Sequence, residues 1–337
     1  VHQQIDHIDA DDRKKTGWKA RMSKLLSIAL PLLLGTALIV YQYNQFTPEQ
    51  LRTMAMQFKT ANYTYIYLSL AVSLLGFVSR AYRWKFALEH MGYTARFSTN
   101  LFAVCISYFI NLTIPRSGEV SRAVILKKYE GVPFAKGFGT IVAERVVDLV
   151  IFFLFVLLSL LFEFKTLKTF ILATIPVKKL VLLGAAATVF GIVFLLVWIY
   201  SRWTLIARLK AKVAGLTEGF LSIFLMKKKW AYLAHSLFIW LSYLIVFYIT
   251  IFALPQTSHI GFGAVMMGFV FGTLAIGFTN SGFGAYPLLI AQIFVLYRIP
   301  YTAGTAFGWL TWISQTALII VLGLLSSIVL PLLRRNE

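Results

Sequence analysis

Two short stretches place ionisable groups where ionisation is costly. Residues 111–122 carry Asn111, Pro115, Arg116, Ser117, Gly118, Glu119 and Arg122, and residues 143–148 carry Glu144, Arg145 and Asp148, all within sequence apolar enough to enter a membrane. Charged side chains at membrane depth are expensive and are by default candidate functional sites. In the first stretch Pro115 cannot continue a helix, and Ser117 or Gly118 can cap the next one, whose first turn presents free N–H groups and a positive dipole end. Arg116 stands beside that end, and a guanidinium fork matches phosphate oxygens bidentately. Glu119 is either part of this corner or an ordinary first-turn carboxylate favoured by the dipole. Arg122 follows Glu119 by three residues and can pair with it. In the second stretch Glu144 and Asp148 share a helix face at i,i+4, with Arg145 three residues before Asp148. These charges are either a structural ion cluster or carboxylates that exchange partners with Arg116 or Arg122 when an anionic headgroup or a proton enters.

The elements that must hold these residues are membrane helices. The 337-residue chain is 59% hydrophobic and 13% charged, with a mean hydropathy of +0.76, too apolar to be folded away inside a soluble domain of this length. The formal charge of +19 lies between apolar segments and not in a stripe, so topology and anionic lipid explain it and nucleic acid is excluded. Cys105 is the single cysteine, and His2, His7, His90, His235 and His259 are scattered, which gives no disulfide, no metal-ligand spacing and no cofactor motif.

Apolar segments run from about 25 to 40, 63 to 79, 101 to 114, 139 to 162, 180 to 200, 233 to 254, 262 to 279, 283 to 297 and 303 to 333, to be compared with roughly 20 residues per span. If every segment crosses, the basic stretch from Arg116 to Lys136 falls opposite the basic N-terminus, against the positive-inside rule. If residues 101–114 instead turn at Pro115 and return as a helix over 119–129, about 24 of the 32 Lys and Arg lie on one side. The same reasoning makes residues 262–297 a second hairpin, broken between Asn280 and Pro287 at Gly282 and Gly284, and opening to the other face. The expected fold is an all-α polytopic membrane protein of about six full spans plus two re-entrant helical hairpins, inverted-repeat-like. A cytoplasmic basic segment (1–24), expected to lead into a retained helix and not a cleaved signal, precedes one transmembrane domain (25–333) and a cytoplasmic tail (334–337). Irregular backbone at depth needs protein or a water-filled cavity to satisfy it, so the two breaks are expected to meet at one internal site. The alternative for Gly277, Gly282 and Gly284 is close helix packing alone. Arg80 and Arg83 with Trp84 read as interfacial anchors that snorkel. Asn280 and Gln315 are either pathway contacts or routine interhelical hydrogen bonds.

The combination of Asn111, Pro115, Arg116, Gly118, Glu119 and Arg122 with Glu144, Arg145 and Asp148 resembles the lysylphosphatidylglycerol synthase transmembrane-domain family, also called flippase-like membrane proteins, over about residues 25–333. In the family's aminoacylating members the membrane domain is thought to move the lipid and a separate soluble domain attaches the amino acid. That domain is not among these 337 residues, so no enzymatic activity is expected of them. The family's second-half motif, Pro-Gly-Gly-x-Gly followed by Glu, is kept here only at Gly282 and Gly284. The resemblance implies a translocator of an anionic lipid or lipid-linked substrate in a bacterial-type inner or plasma membrane, with both termini cytoplasmic. Arg116, Ser117, Gly118, Glu119, Arg122, Glu144, Arg145, Asp148, Asn280, Gly282 and Gly284 form the candidate headgroup site, and no metal or cofactor is implied. Membrane lipids with anionic headgroups are the expected partners, with an unidentified lipid-modifying enzyme as a further one. The competing readings are a non-transporting scaffold, or an enzyme acting on a lipid phosphate with Glu144 or Asp148 as acid or base.

Overall fold

The computed structural model describes residues 29–166 and 225–335, with isolated positions between them. The basic N-terminal segment, the expected span over 180–200 and most of the basic loop that follows lie outside the described residues. Among the described residues all regular structure is helical. It comprises α1 (29–44), α2 (Pro48–Thr60), α3 (Tyr63–His90), α4 (Phe97–Thr113), α5 (Ser117–Glu130), α6 (Phe134–Phe162), α7 (Lys229–Ile251), α8 (Phe262–Phe278), α9 (Ala285–Val295) and α10 (Tyr301–Arg335).

Four of these, α3, α6, α7 and α10, are long and apolar enough to cross a membrane. In α6 the buried positions Thr140, Glu144, Val147, Asp148 and Ser159 follow helical spacing, while Leu149, Phe153, Leu157 and Leu160 are exposed. This helix turns polar groups inward and large apolar ones outward, the reverse of a water-soluble amphipathic helix and the arrangement that lipid favours. In contrast, α4, α8 and α9 are apolar but only 17, 17 and 11 residues long, against roughly 20 needed to span.

These shorter helices form two helical hairpins. Helices α4 and α5 pack together around a break at 114–116, and α8 and α9 pack together around a break at 279–284. Helix α10 lies against both, touching α4 and α9. Its Gly304 and Gly308 permit that approach, since added Cβ atoms would sit 2.8 Å from the Ala291 Cα and 2.5 Å from the Pro287 Cα. Small residues at this spacing bring membrane helices together where no hydrophobic effect does so. One apolar cluster is built mainly from α7 to α10, joined by Ile66 of α3 and Phe155 of α6, and a second from α3 to α7, with Ile151 of α6 packed against both.

Helix α2 was not among the expected segments. Its signal was present in Thr47-Pro48-Glu49-Gln50: the Thr47 hydroxyl accepts from the Gln50 N–H and the Gln50 side chain accepts from the Thr47 N–H, a capping box with proline in the first turn.

Candidate functional site

The two breaks meet. The Asn280 side-chain amide donates to the Leu112 carbonyl at 2.8 Å, and the Ser281 hydroxyl donates to the Asn111 carbonyl at 3.3 Å. The Trp312 indole N–H from α10 donates to the Ser281 carbonyl at 2.8 Å. Backbone carbonyls at the end of α4 are thus satisfied by side chains of the second break, and the Ser281 carbonyl of the second break by α10, as non-helical backbone at membrane depth requires.

At the first break Arg116 adopts a left-handed conformation (φ 61°) and caps α5 with its backbone alone. The side-chain cap comes from the preceding helix, because the Asn111 amide oxygen accepts from the Gly118 N–H at 2.7 Å. Ser117 is not the cap: both its hydroxyl and its N–H donate to the Ile114 carbonyl, at 2.6 and 3.2 Å. Two N–H groups of the expected anion corner are therefore already used. Gly118 is buried so tightly that a Cβ would overlap the Ser107 carbonyl oxygen, and this contact sets how closely α5 approaches α4. At the second break Gly282 and Gly284 take φ values of 81° and 71°. A Cβ on Gly284 would overlap the Gly35 carbonyl oxygen of α1. Both glycines serve backbone shape and close packing, whereas Asn280 lines the cavity described below.

The charge cluster is larger than the sequence suggested. Glu144 is fully buried and accepts from Arg122 through both oxygens, at 3.0 and 3.2 Å, and from Arg83 at 3.2 Å. Asp148 accepts from Arg83 at 2.6 Å, from Arg80 at 3.4 Å and from the Trp240 indole at 3.4 Å. The Arg122 guanidinium lies 4.0 Å from the Trp84 ring centroid, and the Trp84 indole N–H donates to the Thr140 hydroxyl at 2.9 Å. Arg80 also donates to the Tyr243 hydroxyl at 3.0 Å. Arg80, Arg83 and Trp84 are thus interior residues and not interfacial anchors, because the carboxylates of α6 and the aromatic residues of neighbouring helices hold them inside. Of the two arginines expected to meet the carboxylates, Arg122 does so. It pairs with Glu144 and not with Glu119 three residues earlier.

Glu119 instead faces Arg145 at 3.7 Å, and Arg145 also lies 3.6 Å from Asp148. These contacts are looser and more exposed than the buried cluster, with 44% of the Arg145 side chain and 24% of the Glu119 side chain accessible. Arg116 is exposed and has no hydrogen bond or ion pair among the described residues.

Both breaks and part of the charge cluster border a cavity of about 850 Å³ between them and α3, α6, α7 and α10; Ser117, Gly118, Glu144, Gly282 and Gly284 are not part of its lining. Its charged lining consists of Arg80, Arg116, Arg122 and Arg145 against Glu119 and Asp148, a formal surplus of two positive charges. Arg83 and Glu144 behind the wall cancel each other and leave that surplus unchanged. An uncharged polar region adjoins it, where Gln315 links to Ser73 at 2.7 Å and to Ser69 at 3.5 Å. Gln315 is therefore both an interhelical contact and a lining residue. Ser73 and Arg80 are seven residues apart on α3, about 10 Å along its axis.

Residues 28–323 match the family described as Lysylphosphatidylglycerol synthase TM region. The chain belongs to this family. It is also similar to a UPF0104 membrane protein of Methanocaldococcus jannaschii, 37% identical over 99 residues, which is 28% of this chain and 30% of that relative's length. No solved structure matches the chain significantly.

Proposed function

We propose that the protein is a flippase-like translocator that moves an anionic lipid or lipid-linked substrate across the cytoplasmic membrane. The supporting observation is the cation-rich cavity at the junction of two broken hairpins, with two arginines, Arg116 and Arg145, not locked into the buried network. A headgroup phosphate is drawn to a guanidinium surplus in a low-dielectric setting, while its acyl or prenyl chains remain in lipid. In this reading α4–α5 is a re-entrant hairpin open to the cytoplasm and α8–α9 one open to the other side. Both termini are cytoplasmic, and the site alternates between the two faces. The chain performs no covalent chemistry, and a lipid-modifying enzyme supplies or consumes its substrate.

The test is a proteoliposome assay with fluorescent phosphatidylglycerol, in which lipid in the outer leaflet is quenched from outside. Arg116→Ala is expected to slow translocation by about tenfold to a hundredfold, the value of one charge-assisted hydrogen bond. Arg116→Lys keeps the charge, loses the planar fork and recovers only part of the rate. A wild type that moves no lipid, or an Arg116→Ala variant with an unchanged rate in equally folded protein, refutes the translocator. One observation favours a second reading: Glu144 and Asp148 are fully engaged by Arg80, Arg83 and Arg122, as in a scaffold whose charges only lock helices together. That reading gains the assignment if translocation is absent.

A further inference from the structure

We propose that the Glu119 carboxylate is the built-in occupant of the anion site, held by Arg145 until the phosphate group of an entering ligand displaces it. This inference rests on the translocator reading and assigns the exchange step within its site. Among the arginines around the cavity, Arg122 is forked onto Glu144 and stacked on Trp84, Arg83 donates to Asp148, Glu144 and Ser236, and Arg80 donates to buried Asp148 and half-buried Tyr243. The Nε atoms of Arg83 and Arg122 have no hydrogen-bond partner, but both are buried, and turning these guanidiniums toward an arriving anion would strand Glu144 or Asp148 in a buried setting. Arg145 differs. It is half exposed, and both of its carboxylate contacts exceed 3.5 Å, longer than a charge-assisted hydrogen bond of about 2.7–2.9 Å. It therefore has donors to offer and only loose partners to give up.

Arg145 lies on α6 and Glu119 in the first turn of α5, so exchange at this contact loosens one hairpin from a spanning helix. Glu119 is tied onward, because the Asn111 side-chain amide approaches its carboxylate at 3.5 Å while the Asn111 carbonyl accepts from Ser281 in the other break. Release of Glu119 from Arg145 thus reaches both hairpins through one asparagine. The ligand chemistry that fits is a single phosphate monoester or diester. A monoester brings three terminal oxygens against the two of the carboxylate it replaces, a diester two terminal oxygens and two weaker ester oxygens, and Arg116 stands free on the same cavity to meet them.

The distinguishing signature is a gain of affinity. Glu119→Gln is isosteric, keeps an oxygen for the Asn111 amide and removes the competitor's charge. It is expected to bind a phosphate ligand about threefold to fivefold more tightly, the range an exposed ion pair supports. Glu119→Asp withdraws the carboxylate by one methylene and is expected to tighten binding by a smaller factor, which keeps the test alive should the glutamine variant fold poorly. Arg145→Ala is expected to weaken binding about tenfold or more. The full chain in a neutral detergent is titrated with short-chain phosphatidate, with inorganic phosphate and with short-chain phosphatidylcholine, following the fluorescence of Trp240 and Trp312, which line the cavity. If inorganic phosphate shows the same ranking of variants, recognition lies in the phosphate itself; if only phosphatidate does, the acyl chains are required as well. Both results support the exchange. A Glu119→Gln variant that binds as wild type does or more weakly, while Arg145→Ala loses affinity, overturns the exchange and leaves the translocator reading standing. A wild type that binds none of the probes, or an Arg145→Ala variant indistinguishable from it, overturns the translocator reading itself.

Discussion

Replacing Glu144 by Gln should destabilise the fold more than removing the arginine that grips it. Arg80, Arg83 and Arg122 are 3%, 0% and 2% exposed and face the buried carboxylates Glu144 and Asp148, so the inner cluster carries a formal charge of +1. Glu144→Gln preserves shape and raises that charge to +2. It leaves Arg122, whose remaining partner is the Trp84 ring, as an unpaired buried cation, at a cost of about 3–5 kcal/mol. Arg122→Met lowers the buried charge to zero. Glu144 keeps Arg83 at 3.2 Å and Arg80 at 4.0 Å, and the methionine replaces part of the contact with Trp84. The expected cost is about 1–2 kcal/mol, mainly the lost cation–π interaction and hydrogen bonds. The double variant returns to +1 and is expected to be more stable than Glu144→Gln alone, a strongly non-additive result of the kind neighbouring charges produce. The midpoint for loss of monodisperse protein on heating in detergent reads the order, at roughly 2 °C per kcal/mol for a chain of this size. If Arg122→Met is as costly as Glu144→Gln, or the double variant is simply additive, the cluster is solvated and its low exposure carries no energetic weight.

Two further outcomes are expected. Gly118→Ala drives a methyl group into the Ser107 carbonyl oxygen and is expected to cost about 3 kcal/mol, the upper end for overpacking because backbone must move; a stability unchanged in the same thermal assay contradicts the α4–α5 packing. With Cys105 replaced by Ala, single cysteines at Lys128 and Lys178 are expected to label from opposite faces of the membrane, since the proposed topology assigns the first to the lysine- and arginine-rich side and the second to the other. Labelling of both from one face overturns the proposed topology.

The features that were legible in the sequence are those set by local chemistry. Pro115 and the Asn280–Gly284 run stop helices through their own backbone preferences, and Glu144 and Asp148 share a face because four residues are about one helical turn. Their meeting across the cavity followed from the need to satisfy broken backbone at depth. Arg80 and Arg83 were misread because an arginine pair beside a tryptophan near the end of a span suits an interfacial anchor and a buried counter-ion equally well. The deciding partners, Glu144, Asp148 and Ser236, are 61 to 153 residues away. A signal was nevertheless present along α3. Ser69, Ser73, Gly76, Arg80 and Arg83 recur at helical spacing, so the small and polar residues of that helix lie on the same face as the arginines, whereas lipid-facing positions such as Leu68 and Leu75 are large and apolar. A snorkelling arginine would have continued the apolar face, because its stem must lie against lipid on the way to the interface. These two arginines continue the polar one. That stripe is also what makes α3 the fixed wall of the site: its serines hold Gln315 of α10, its arginines hold both carboxylates of α6, and the two hairpin breaks close the cavity against it.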